Sequence, residues 1–86
     1  MKIDKRAVAA QLTAYLKHEI ALEQLVDWAE RAMMEGDFAE ADLPVARDVV
    51  SRLGLADVRT FGLLWQDCEE MLRQLGFAVR LSLVPA

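Results

Sequence analysis

Few side chains in this sequence carry chemistry. His18 is the only histidine and Cys68 the only cysteine. "HEIALE" sets Glu19 and Glu23 close to His18, but the His-Glu-x-x-His spacing of a zinc helix is missing. No Glu-x-x-His pair of the di-iron type occurs. Glu23, Asp27 and Glu30 fall on neighbouring helical turns and could hold a hard cation only if a second acidic helix faced them. None is evident, so neither a metal nor a cofactor is expected. His18 reads instead as a solvated residue near a helix C-terminus, where the dipole favours it.

Cys68 stands beside Asp67, Glu69 and Glu70. A nucleophilic thiol needs a partly exposed, electropositive setting. Three carboxylates do the reverse, so Cys68 is read as buried and inert. One histidine cannot complete a Ser/His/Asp set, and the glycines are scattered rather than gathered into a phosphate loop. The chain is not expected to be an enzyme.

The acids themselves are the strongest signal. Residues 19–42 hold eight acids and one base, Arg31, while the rest of the chain holds nine bases and six acids. On a helical wheel with about 100° per residue, Glu19, Glu23, Asp27 and Glu30 gather on one flank, and Met34 falls among them. Asp27–Arg31, Asp48–Arg52 and Glu69–Arg73 have the spacing of i, i+4 ion pairs. Glu19, Glu23 and Glu30 have no such partner. A solvated face is the ordinary reading of such a run. The sharper one is a docking flank that steers a basic partner, with Met34 as an adaptable apolar contact.

Four helical patterns position these residues. The first covers residues 4–18, with Asp4 as N-cap and Val8, Ala9, Leu12, Tyr15 and Leu16 on one face. The second covers residues 22–34. Leu22, Leu25, Val26, Ala29 and Met33 form its core stripe, Gly36 provides a left-handed cap, and Phe38 tucks back onto the core. The third begins at Asp42 or Leu43 with Pro44 in its first turn. It carries Val45, Val49 and Leu53, with Ala46 and Val50 beside them, and ends at Gly54 with Leu55 folding back. The fourth covers residues 65–75, with Leu64, Cys68, Met71, Leu72 and Leu75 in its stripe and Gly76 as its end.

Between them "LADVRTFGL" reads as a short turn from Asp57 to Gly62, with a strand over residues 58–63 as the alternative. Trp28 and Trp65 read as core plugs. The final stretch differs in period. Phe77, Val79, Leu81 and Leu83 alternate with Ala78, Arg80, Ser82 and Val84, the pattern of a half-buried strand. It is expected to pack extended on its own helices. Pairing with "VRTFGL", or with its own copy in a dimer, are the other arrangements.

The fold class is therefore mainly α: one domain over residues 1–86, a small four-helix bundle with a short extended or β segment at its C-terminus. A chain of 86 residues buries only about 60–65% of its unfolded surface. A hydrophobic fraction of 55% is high for that size, even with thirteen alanines in it, and leaves apolar surface for a second subunit to cover.

The net charge of −4 argues against nucleic acid and against anionic membranes. No run is long enough to span a bilayer. Gln11 and Thr13 interrupt any signal-like core, and a single cysteine gives no internal disulfide. A cytoplasmic protein is expected.

"YLKHEIALEQLVDWAE" followed by further helices, in an acidic chain of this length, resembles small bacterial helical immunity proteins of the colicin D inhibitor type. It also looks like short bacterial proteins that share a "LVDWAE"-like helix. The resemblance covers residues 12–75. It implies that Glu19, Glu23, Asp27 and Glu30 cover a basic nuclease site. The strand-like tail departs from that all-helical pattern.

Two functions follow as expectations. One is a non-enzymatic protein-interaction module that self-associates, with Phe77, Val79, Leu81 and Leu83 as its dimer contact. The other is an immunity-type inhibitor presenting Glu19, Glu23, Asp27, Glu30 and Met34 to a basic toxin.

Overall fold

Gly36 has no room for a side chain. An added Cβ would overlap the carbonyl oxygen of Ala32 and stand 2.8 Å from Cγ1 of Ile3. The computed structural model, which describes residues 1–58 and 63–85, shows why these groups meet. The chain leaves its second helix straight into extended backbone, with φ −73° and ψ 142° at Gly36. The expected left-handed cap is therefore not formed. Gly36 is needed for close approach and not for its conformational range.

That approach seats two short strands that period-two reasoning does not find. Strand β1 (Lys2–Ile3) pairs in parallel with β2 (Asp37–Phe38), with Ile3 opposite Phe38. The Asp37 N–H donates to the Met1 carbonyl at 2.6 Å and the Ala39 N–H to the Ile3 carbonyl at 2.7 Å. Ile3 is fully buried and Phe38 packs against the core, as expected for Phe38.

Helix α1 (Lys5–Leu16) follows at once. Asp4 caps it as expected, its carboxylate accepting the Ala7 N–H at 2.8 Å. Asp42 adds a second carboxylate at the same end and accepts the Lys5 N–H at 3.1 Å. Asp42 also stands at the N-cap position of helix α3 (Leu43–Leu53), but its side chain makes no bond to that helix. It serves α1 instead, where free N–H groups and the positive dipole end both favour an anion.

At its far end α1 closes in a Schellman turn. The Glu19 N–H donates to the Ala14 carbonyl at 2.8 Å and the His18 N–H to that of Tyr15 at 3.1 Å. His18 occupies the left-handed position, φ 63°, that glycine usually fills.

Helix α2 (Leu22–Glu35) is held at its start by Gln24, whose Oε1 accepts the Ala21 N–H at 2.7 Å. Ala21 has no acceptor to return the bond. Leu25, Val26, Ala29 and Ala32 are its buried residues. Met33, expected in the stripe, is 39% exposed. Ala32 takes the place because the end of α2 approaches Ile3 and Gly36 closely, and only a small side chain leaves space there.

Helix α3 buries Ala46, Val49, Val50 and Leu53, while Val45 lies at the edge. Beyond Gly54 the residue that folds inward is Ala56, not the expected Leu55. The fourth helix, α4 (Trp65–Gln74), buries Cys68, Met71 and Leu72, and Leu75 follows them into the core. Leu64 sits before the helix and is exposed. Its N–H donates to Asp67 Oδ2 at 2.9 Å. Gly76, φ 94°, ends α4 as the sequence predicts.

The chain is thus mainly helical. α2 and α3 share the largest contact, and α1 touches α2, α3 and α4. One core joins residues of all four helices and β1. Residues 77–85 hold no regular secondary structure, so the period-two pattern forms no β-strand, while Val79 of this segment packs on the core. Both readings of the segment between Asp57 and Leu63 fall on residues 59–62, outside the described residues.

Gly36→Ala should cost about 1–3 kcal/mol, because backbone and a packed isoleucine must both shift. Urea unfolding followed by circular dichroism measures this. A cost near zero would show that the strand contact contributes nothing.

Candidate functional site

The acidic residues sit on two elements. Glu23, Asp27, Glu30 and Met34 all lie on α2 and are exposed, Met34 by 83%. Glu19 is also exposed but precedes the helix, in the turn after α1. It lines a separate cavity of about 600 Å³ together with His18, Tyr15, Gln24 and Cys68. The helical wheel extended α2 one turn too far back, and the Schellman turn takes Glu19 off it.

The α2 row also faces further from the core than a flank. With Ala32 inside, the buried stripe stands about 140° from the centre of Glu23, Asp27, Glu30 and Met34. Nor do the expected i, i+4 ion pairs form. Among the described residues the one ion pair joins Arg52 Nη2 to Asp67 Oδ1 at 3.7 Å, tying α3 to α4. Arg52 turns away from Asp48 because Asp67 is fixed in front of it by the α4 cap.

A second surface was not singled out from sequence. A groove of about 760 Å³ lies between α1, the start of α4 and residues 77–81. Arg6, Ala10, Thr13 and Lys17 line its α1 wall. Their spacing of four, three and four residues puts them in one row on the helix. Trp65, Leu72, Phe77 and Val79 line the other side, and Arg80 adds a third cation. The signal was available, since the only charges in the row are Arg6 and Lys17 at its ends.

Trp65 is therefore a groove residue, 41% exposed, rather than a core plug, whereas Trp28 does pack partly buried on the core. The thirteenth residue shapes the groove too. The Thr13 hydroxyl donates to the Ala9 carbonyl at 2.8 Å, which satisfies it locally and leaves the methyl group as the free part of the side chain.

The four tail residues expected at a dimer contact divide. Val79 packs partly buried on the core, Phe77 and Leu81 line the groove with Leu81 largely exposed, and Leu83 lies outside it, fully exposed. Val84 is exposed with them.

Cys68 is buried, and burial first and the Asp67 charge second push its thiol up to about 11. Of the three carboxylates expected to act on it, Asp67 is the one that does. Among the described residues no three His, Cys, Asp or Glu side chains gather closely enough to hold a metal. No described helix is long and apolar enough to cross a membrane. Comparison with protein-family models, curated proteins and solved structures finds no match.

The raised thiol makes an alkaline prediction. The unfolded thiol ionises near 9.0 and the folded one near 11, so the unfolded state loses its proton first. Stability should fall as pH rises through that window. The slope should be smaller in Cys68→Ala, compared by urea midpoints between pH 8 and pH 11. Equal slopes would show that Cys68 is not shielded.

Proposed function

We propose that this chain is a small, non-enzymatic protein-interaction module that associates with itself in the cytoplasm. One observation carries the reading: Leu81, Leu83 and Val84 are consecutive or alternate apolar side chains left in solvent, beside a groove that is itself partly apolar. Exposed apolar surface of this kind is uncommon on a monomer and is usually covered by a partner. The single free, buried thiol accords with a reducing compartment. Light scattering across a concentration series should show a mass above the monomer. Leu83→Asp with Val84→Asp should lower it, and a strict monomer at millimolar concentration would end the proposal.

A second reading rests on the α2 row. Glu23, Asp27 and Glu30 stand exposed with Met34 among them, and none of the three pairs with a base among the described residues. Such a row suits an inhibitor that meets a basic toxin, steering it electrostatically. Glu23→Lys with Glu30→Lys should abolish capture of that partner from the producing cell. Unchanged capture would remove this reading.

A further inference from the structure

We propose that the groove between α1, α4 and residues 77–81 receives the outward row of α2 from a second copy of this chain. The proposal rests on the self-association reading and adds to its exposed tail residues a second, charged contact.

The two rows match in spacing. Along α1 the groove presents Arg6, Ala10, Thr13 and Lys17, and along α2 the outward row is Glu23, Asp27, Glu30 and Met34. Each follows the four, three, four spacing of one helix face and spans about 16 Å. They match in charge as well. The groove carries Arg6, Lys17 and Arg80, and the α2 row carries three carboxylates. Arg31 is the one base nearby and lies to the side of the row.

The rows match in shape. Ala9, Ala10, Thr13 and Leu16 line the α1 wall between its two cations, a mostly apolar stretch of small residues with Leu16 at one end. Trp65 and Phe77 give the groove apolar walls, and Met34 is an unbranched, almost fully exposed side chain that can fit them. Each row is also free on its own chain, since among the described residues no ion pair involves Arg6, Lys17, Arg80, Glu23, Asp27 or Glu30. Exposed pairs contribute little one by one, but several together set register and steer the encounter.

The contact joins two different surfaces, so it is heterologous. Unless its rotation closes a ring, assembly proceeds head to tail and the mass rises beyond the dimer. Pairing of tails about a two-fold axis would stop at two. Salt should weaken the charged contact, since the screening length falls from about 10 Å at 0.1 M to about 3 Å at 1 M.

The test uses two charge-reversed proteins. One carries Asp27→Lys and Glu30→Lys, chosen because Glu23 lies in the first helical turn, where its charge also supports α2. The other carries Arg6→Glu and Lys17→Glu. All four positions are exposed, so helix content should be kept, which circular dichroism checks. By sedimentation, each variant alone should associate at least about tenfold more weakly than the native chain. An equimolar mixture should recover association, because each now meets a surface of opposite charge.

If both variants associate as the native chain does, the docking contact is overturned while tail-mediated association stands. A mixture that stays monomeric, with both variants folded, overturns the pairing of these rows. A native chain that remains monomeric at millimolar concentration overturns this proposal and the self-association reading together.

Discussion

The fold depends on how closely the N-terminal segment approaches the end of α2. At Gly36 the chain passes so near Ile3 and the Ala32 carbonyl that no side chain fits. Several features follow from that distance. Ala32 replaces a larger residue in the α2 stripe. The backbone of residues 37–39 reaches that of residues 1–3, and Ile3 becomes part of the core. The chain then turns so that Asp42 meets the first N–H of α1. A domain of this size has little apolar area to spare. Drawing Ile3 into the core is one way to enlarge it.

Period and capping made the helices legible. Asp4, Pro44, Gly76 and the buried stripes of α1, α3 and α4 could be read because each depends on residues a few positions apart. The failures share a cause. Gly36, Ala32 and Asp42 have roles set by residues more than thirty positions away, or by space rather than propensity. The sequence argues the place of His18 from its charge, whereas its left-handed backbone conformation defines it. A two-residue strand is too short to show alternation. The tail showed alternation without forming a strand, because period two describes which residues could share a face and supplies no neighbour to pair with.

The candidate surfaces were legible only in part, for a related reason. Charge runs are visible in a sequence, so the acids of α2 stood out. A groove is made by three separate segments and leaves no run. Its cations are spread over residues 6, 17 and 80, and the intervening small residues look unremarkable in a helix rich in alanine. Its existence depends on how α1 and α4 meet and on where Gly76 directs the chain after α4. The asymmetry of charge, with an acidic middle and basic remainder, becomes spatial only once both surfaces are placed.

Asp42 binds the first N–H of α1 from 37 residues further along the chain. During synthesis α1 emerges first, yet part of its N-terminal cap has not been made. The strand partner at residues 37–38 is also still to come. An α1 that has emerged without residues 37–42 keeps the local Asp4 cap but lacks both the Asp42 acceptor and the strand partner of β1.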